Sequence, residues 1–300
     1  MKQIWTLSIR NLKLYFKDKG LFISSLITPI ILLVLYATFL SKVYKDSFLS
    51  AIPEGFHLSD DIIESEVASQ LVASLLAVSC ITISFCSNLI MIQDKANSTI
   101  EDLTVTPVKK SVLAVSYFLS SLLSTLIITM TTLVLSLLYL QTKGCYLGFV
   151  DVVKIIGDVI LLTLFGTSLS SCVNFFLSTE GAASAVGTIV SSMYGFICGA
   201  YMPINSFGKG LQNILSFLPG TYATSLIKYD VMNPTFVKMS EAGMPIEYLN
   251  GLKKSIDADF YFNNNLVTNQ IKIIVLVCSI LVFLSVFIVF NIIQKKKNTK

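Results

Sequence analysis

Residues 93–111 read QDKANSTIEDLTVTPVKKS and form the longest polar interruption between two strongly apolar segments of the chain. Ser98, followed three residues later by Glu101, is a capping-box pattern, which predicts that a short helix begins here. Ile100 and Leu103 then share one face of that helix, because residues three apart are helical neighbours. The stretch therefore predicts a short helix with two apolar side chains on one face, suited to contact with a soluble partner.

The end of this helix is predicted by Pro107. A proline ring pushes the preceding residue, Thr106, away from the helical backbone region. Threonine is also a good N-cap, and proline is favoured at the first position of a helix. Thr106 and Pro107 are therefore expected to begin the next helix.

On both sides of this stretch the composition is that of a membrane protein. Hydrophobic residues make up 54% and charged residues 13% of the 300 residues, and the mean hydropathy is +0.74. A helical span needs about 20 mostly apolar residues. The chain is therefore predicted to be an all-α membrane protein with a single transmembrane domain. Its six spans are expected near residues 21–40, 67–92, 111–139, 152–177, 182–202 and 271–293.

The basic residues predict how these spans are oriented. With six spans the two chain ends share one side of the membrane, and twelve of the 22 lysine and arginine residues fall on that side. The positive-inside rule therefore places both termini, and residues 93–110, in the cytoplasm. So sparse a set of lysines does not indicate nucleic-acid binding.

The first twenty residues are too short and too charged to span. Trp5 and Phe16 lie on a narrow apolar face, and Arg10 lies to one side of it among the basic residues. This pattern predicts an amphipathic helix in the membrane interface, with its lysines toward anionic lipid headgroups. A second contact with a cytoplasmic partner is an equally open interpretation.

Two spans carry unusual residues. The fourth span holds Asp158 and Asn174, which makes it a possible substrate path, because a carboxylate within a membrane helix is a functional hypothesis by default. A structural role beside Lys154 is the favoured alternative. The fifth span predicts a ridge for close helix packing, since small residues recur every four positions. The ridge residues are Ala183, Gly187, Ser191, Gly195 and Gly199.

Residues 203–270 are predicted to form an outer hairpin and cap. Two short helical pieces, 205–218 and 221–232, are separated by Pro219 and Gly220, and the second is expected to stop at Asn233-Pro234. Neither piece is long enough to span, so together they predict a re-entrant helical hairpin between spans five and six. Residues 235–268 are polar and are expected to form an outer cap or a flexible loop.

No catalytic or nucleotide-binding motif stands out. The sequence contains no G-x-x-x-x-G-K-[ST], H-E-x-x-H or G-x-S-x-G pattern. The six cysteines show no metal-ligand spacing. Neither a catalytic residue, a cofactor nor a metal is therefore expected in this chain, and a transporter built this way must take its energy from another protein.

The quoted motif resembles a known family. Residues 99–108, TIEDLTVTPV, are similar to the cytoplasmic signature G-T-[LI]-E-x-L-x-x-T-P of type-2 ATP-binding-cassette (ABC) exporter permeases, with Ser98 where that family usually has glycine. Pro203, together with Pro219 and Tyr222 in LPGTY, is similar to the family's P-x-T-Y element after the fifth span. The span count, the N-terminal helix and the outer hairpin fit the same family.

The resemblance implies a function. The chain would be the membrane subunit of a bacterial exporter of an amphipathic small molecule such as a drug, antibiotic or small peptide. It would lie in the cytoplasmic membrane, in contact with lipid, beside a second permease copy or paralogue. ATP and magnesium would bind to cytoplasmic ATPase subunits, and Ser98, Ile100, Glu101, Leu103 and Pro107 would form the ATPase-docking set. Two other functions stay open: an intramembrane lipid-modifying enzyme, and a toxin-binding immunity or sensor protein.

Overall fold

The structure, a computed structural model, describes residues 1–52, 58–106, 108–263 and 265–297. Helices dominate it, and two two-residue strands pair antiparallel, Tyr261 with Leu266 and Phe262 with Asn265. The elements are α1 (Lys2–Lys17), α2 (Lys19–Leu35), a π-helical turn (Tyr36–Leu40), α3 (Ser41–Ala51), α4 (Asp60–Ser87), α5 (Leu89–Ala96), α6 (Thr99–Val105), α7 (Lys110–Thr142), α8 (Phe149–Asn174), α9 (Glu180–Ile197), a 3-10 turn (Ile204–Ser206), α10 (Lys209–Ser216), α11 (Pro219–Glu241), α12 (Ile246–Ser255), β1 (Tyr261–Phe262), β2 (Asn265–Leu266) and α13 (Asn269–Lys297).

Helix α4 is the centre of the bundle. It packs against α2, α7, α8, α9 and α11, and nearly all of its residues are buried. Its 28 residues span about 42 Å at 1.5 Å per residue. Its first turns pack with α3, α11 and α12, and its last turn packs with α1, α5 and α7. We call these two regions the α12 end and the α6 end of the molecule.

Small residues allow the helices to approach α4 closely. On α8, Gly166 leaves no room for a side chain, since a Cβ there would lie 2.8 Å from Ser84 Oγ and 3.0 Å from the Cys80 carbonyl oxygen. Close approach of this kind brings backbone and hydroxyl groups of membrane helices into contact. The contact therefore fixes α8 directly against the central helix.

By length and composition, four helical segments of the described chain can cross a membrane. They are Lys19–Asp46, Asp60–Ala96, Lys110–Thr142 and Asn269–Asn291. They correspond to the first, second, third and sixth predicted spans. Helices α8 and α9, which contain most of the fourth and fifth predicted spans, are not among the four. An all-α membrane protein is therefore supported, and the count of six spans stays a prediction.

The small-residue ridge of α9 lies partly against the rest of the protein. Ala183 and Gly195 are buried, and a Cβ on Gly195 would collide with the Tyr201 ring. Gly187 and Ser191 are half-buried, and a Cβ on Gly187 would meet open space. Gly199 is not part of the helical ridge, because α9 ends at Ile197. Its backbone has φ +77°, a left-handed conformation that terminates helices and favours glycine.

Two helices occupy the residues of the predicted outer hairpin. Helix α10 and helix α11 are joined through Phe217 and Leu218, and Pro219 is the first residue of α11. Tyr222 is buried and packs edge-on against Phe260, with 5.0 Å between the ring centroids. Pro203 precedes the 3-10 turn. The hairpin packing of these helices, their outer side and their re-entrant position in a membrane stay predictions.

Helix α11 does not stop at Asn233-Pro234, as the sequence suggested. The helix is 23 residues long in all and ends at Glu241, with Pro234 inside it. A proline within a helix removes one hydrogen bond and costs about 3 kcal/mol. The residues around it, Val231, Met232 and Phe236, are fully buried against α4 and its neighbours. Tertiary packing therefore outweighs the local cost.

The polar segment after α11 is folded, and buried charges join it to α11. Lys228 is 1% exposed, and its Nζ donates to the carbonyl oxygens of Gly199, at 2.6 Å, and Ile256, at 3.0 Å. Asp257 is 5% exposed and accepts from the Ile204 amide and the Asn205 side chain. Burial, partly opposed by the negative charge of Asp257, lowers the pKa of Lys228 to about 8. These contacts join α11 to the segments that follow α9 and α12.

Candidate functional site

The segment between α5 and α7 is a short helix, as the sequence predicts. Helix α6 begins after only two linking residues, Asn97 and Ser98. The predicted capping box is wrong, because the Ser98 side chain makes no cap hydrogen bond. Ser98 has φ +57°, whereas a capping-box residue needs extended backbone. The Ser98 carbonyl instead accepts from the Glu101 and Asp102 amides, at 2.9 and 3.3 Å.

The far end of α6 also differs from the prediction. Thr106 follows the last residue of α6, and its Oγ1 donates to the Leu103 carbonyl at 2.5 Å. Thr106 therefore ends α6 and does not begin the next helix, since α7 starts at Lys110 with Lys109 as its N-cap. Pro107 lies outside the described residues.

The side chains of α6 divide into an inner and an outer face. Ile100 and Leu103 are half-buried and pack onto a cluster that includes Tyr15, Met91 and Leu113. The outer face carries the exposed residues Glu101, Asp102 and Val105. The two apolar side chains assigned to docking therefore hold α6 onto its own chain, and an acidic face is left accessible.

Val105 was missed by the sequence interpretation. Its side chain is 88% exposed, among the highest values for a large apolar residue of this protein. It follows Glu101 by four residues, so the two side chains are neighbours on the helix surface. The helical spacing could have indicated that Val105 lies beside Glu101. The sequence interpretation instead chose the face with apolar residues at i and i+3, which is the inner face.

A buried carboxylate joins three helices beneath α6. Asp94 of α5 accepts hydrogen bonds on Oδ2 from Arg10 of α1 and from the hydroxyl of Tyr117 of α7, both at 2.5 Å. The side chains of Arg10 and Asp94 are 34% and 11% exposed. Burial tends to lower the pKa of Arg10, but the hydrogen bond and the charge of Asp94 outweigh it and raise the pKa. Arg10 therefore binds this carboxylate, and its place in a membrane interface stays a prediction.

Helix α1 is amphipathic, as predicted. Trp5 and Phe16 are exposed on its outer surface. Its inner face is formed by Ser8, Asn11 and Tyr15, which are buried against the bundle. The apolar outer surface is the arrangement that an interfacial helix requires. Arg10 differs from the other cations of this helix because it lies next to the buried face.

A second contact joins α5 to α8. The Nζ of Lys95 donates to the carbonyl oxygens of Phe175, at 2.7 Å, and Leu177, at 3.3 Å, and it lies 5.2 Å from the centre of the Phe175 ring. A lysine at a helix C-terminus satisfies carbonyl groups that have no partner within the helix. Asp94 and Lys95 therefore connect the segment before α6 to α1, α7 and α8.

Polar side chains join α4, α7 and α8 near the break between α4 and α5. The Asn88 side chain donates to the hydroxyl oxygens of Ser170 and Ser171 and accepts from Ser121. Ser87 and Thr125 are joined at 2.7 Å. These contacts satisfy the hydroxyl groups of Ser121 and Thr125 on α7 and hold the three helices together.

The two residues of the possible substrate path lie far apart. Asp158 and Asn174 are both buried on α8, and each has one oxygen that accepts no hydrogen bond from a described residue. Sixteen residues separate them, which is about 24 Å along a helix. The structure instead brings Asp158 of α8 to Asp230 of α11, a neighbour that the sequence did not indicate.

Groups of three or more histidine, cysteine, aspartate and glutamate side chains that could hold a metal ion are not found among the described residues. A comparison with protein families gives a match to the ABC-2 type transporter family over residues 2–230, from the start of α1 to Asp230 in α11. The match includes α6 and all the contacts that anchor it. A comparison with curated proteins finds no match.

Proposed function

The chain belongs to the ABC-2 type transporter family, whose members are membrane components that work with ATP-binding-cassette partners, and from this we propose the following assembly. The chain is the permease subunit of an exporter in the cytoplasmic membrane. It pairs with a second permease copy or a paralogue and with two cytoplasmic ATPase chains, which bind ATP and magnesium. The α6 end and both termini face the cytoplasm, as the distribution of basic residues supports.

The observation that carries this proposal is the attachment of α6 to the centre of the bundle. Helix α6 follows α5 after two residues, and α5 follows α4 after Asn88. Asp94 and Lys95 tie α5 to three further helices. Force applied to α6 by a partner would therefore reach the most buried helix of the protein without crossing a long flexible loop.

The exposed face of α6 indicates the chemistry of the partner surface. Glu101 and Asp102 are exposed beside Val105. A cleft with basic residues around a small apolar pocket would complement this face, because opposite charges guide association and an apolar side chain anchors it. ATP-driven motion would change the spans only if the partner bound their two states with different affinity.

An amphipathic small molecule, such as a drug, antibiotic or small peptide, is the proposed substrate. This class rests on the resemblance of residues 99–108 to exporter permeases, because the family match gives a transporter and no substrate. A lipid-modifying enzyme would need polar groups that meet at one site. Asp158 and Asn174, the pair that the sequence offered, lie too far apart, so this alternative would have to use Asp158 with Asp230.

The test is purification of the tagged chain from its host in mild detergent, with mass spectrometry of the proteins that accompany it. We expect a soluble ATPase at similar abundance. The double variant Glu101→Lys with Val105→Asp should lose it, because the first change reverses a charge and the second places a charge where an apolar contact is expected. Leu103 is left unchanged because it packs against the protein's own core.

The matched control is Ile246→Asp with Glu247→Lys on α12. These residues are also exposed and carry the same two types of change, but they lie at the opposite end of the molecule. The control should retain the ATPase. Absence of an ATPase from the wild-type sample, or equal recovery with the α6 variant, would contradict the proposal.

A further inference from the structure

A groove opens between α8, α11 and α13, away from the α6 end. Its volume is about 400 Å³. Its walls are apolar, and its polar groups come from three residues, two acids and one lysine. The lining residues are Lys154, Gly157, Asp158, Ile160, Leu161, Leu164, Asp230 and Ile273.

Two carboxyl groups meet in this groove. Asp158 is 6% exposed, and its Oδ2 accepts no hydrogen bond from a described residue. Asp230, half-buried on the facing helix, interacts with Asp158 through its charge and through a side-chain hydrogen bond. A buried carboxylate oxygen without a donor costs free energy, and a second carboxylate beside it increases that cost. Two adjacent carboxyl groups can share one proton, and a donor with a positive charge could replace that proton and bind both groups.

The nearby lysines do not fill this role directly. Lys272 donates to the carbonyl oxygen of Ala258 at 3.1 Å and lies 5.4 Å from the centre of the Tyr229 ring. Lys154 lies 4.0 Å from Asp151, its neighbour on α8. Both lysines attract the two carboxylates from a distance. Among the described residues, neither carboxylate has a lysine or arginine nitrogen within 4.0 Å.

We propose that this groove binds the protonated amine of an amphipathic organic cation. The ammonium group would donate to Asp158 and Asp230. The apolar part of the molecule would lie along Ile160, Leu164 and Ile273, since Ile160 and Ile273 present exposed side chains. A small set of polar groups within apolar walls is the usual composition of a small-molecule site.

The inference narrows the substrate class of the proposed exporter. That the groove serves as a transport site rests on the proposed function. Binding itself does not depend on an ATPase. The chain alone, reconstituted in phosphatidylcholine nanodiscs, can therefore be tested separately from its assembly with a partner.

The probe is a dansyl-labelled octylammonium, compared with a dansyl-labelled octanol of the same chain length. We expect the chain to bind the ammonium at least tenfold more tightly than the alcohol. Asp158→Asn should weaken ammonium binding by about tenfold or more, and Asp230→Asn should act in the same direction, because a charge-assisted hydrogen bond is lost. Equal affinity for the two probes would overturn the proposal.

Gly157→Leu provides a variant that blocks the groove without disturbing the fold. A Cβ at Gly157 meets no atom within 4 Å, and leucine is a better helix former than glycine. This variant should lose ammonium binding while its thermal stability is retained. The matched control, Gly210→Leu on α10, also points into open space and should bind normally. Unchanged binding by Gly157→Leu would show that the probe binds elsewhere.

Discussion

The two ends of the molecule bury charges in different ways. At the α6 end, the Arg10–Asp94 pair joins side chains of α1 and α5 and remains partly accessible to water. At the α12 end, Lys228 and Asp257 are almost fully buried. Lys228 donates to two backbone carbonyl oxygens, and Asp257 accepts from one backbone amide and from the Asn205 side chain.

This difference in burial gives the two ends of the molecule different freedom to move. The Arg10–Asp94 pair can rearrange at a lower cost, because Arg10 is 34% exposed and water can replace its lost partner. A buried lysine held by two carbonyl groups cannot move without leaving a charge and two acceptors unsatisfied. We therefore expect the α12 end to act as a rigid cap and the α6 end to adjust when a partner binds.

The largest expected effect on stability comes from removing the buried lysine of the α12 end. Lys228→Met removes both hydrogen bonds and leaves Asp257 buried with its amide donors but without the lysine charge. We expect a loss of about 3 kcal/mol or more in the free energy of unfolding, as is typical when one member of a buried charge pair is removed. Thermal unfolding in detergent would measure it. A loss below 1 kcal/mol would contradict a rigid cap.

The same lysine predicts a pH dependence. Burial lowers the pKa of Lys228 to about 8 in the folded protein, against about 10.4 in an unfolded chain. Between these values the unfolded state binds more protons, so this group makes the protein more stable as the pH rises from about 8 to 10. Below pH 8 its unfavourable contribution is constant. The free energy of unfolding of the wild type relative to Lys228→Met should therefore increase over that interval. A constant difference would contradict the assignment of this pH dependence to Lys228.

A smaller effect is expected at the α6 end. Asp94→Asn weakens the contact with Arg10 and removes the negative charge that Tyr117 binds. Because Arg10 is partly exposed, we expect a loss of about 1–2 kcal/mol. Glu64→Gln, which breaks the exposed pair of Glu64 with Lys143, should cost less than about 1 kcal/mol. Asp94→Asn should also reduce ATPase recovery in the purification experiment, whereas Glu64→Gln should not.

The smallest effect concerns the start of α6. Ser98 has a left-handed backbone that glycine adopts without strain, so Ser98→Gly should leave the protein as stable or increase its stability by up to about 1 kcal/mol. Ser98→Val should decrease stability, because a β-branched residue is disfavoured there. Thermal unfolding of both variants distinguishes them, and a more stable valine variant would contradict the left-handed conformation.

Part of the candidate site could be predicted from the sequence. The boundaries of α6 followed from local features, since polar residues interrupt two apolar segments and Pro107 stands near its end. The direction of its faces could not be predicted in this way. Ile100 and Leu103 have the spacing of a docking face, but the same spacing serves a core contact, and only the position of Tyr15 and Leu113 decides between them.

The sequence by itself determined the class of the protein, most of its helices and its family motif, because these depend on composition, hydrophobic length and short-range spacing. The tertiary structure decided which charges meet. Asp94 pairs with a residue 84 positions away, Asp158 faces Asp230, and α11 passes through Pro234 because its surroundings are tightly packed. Such contacts join distant parts of the chain, and no local pattern encodes them.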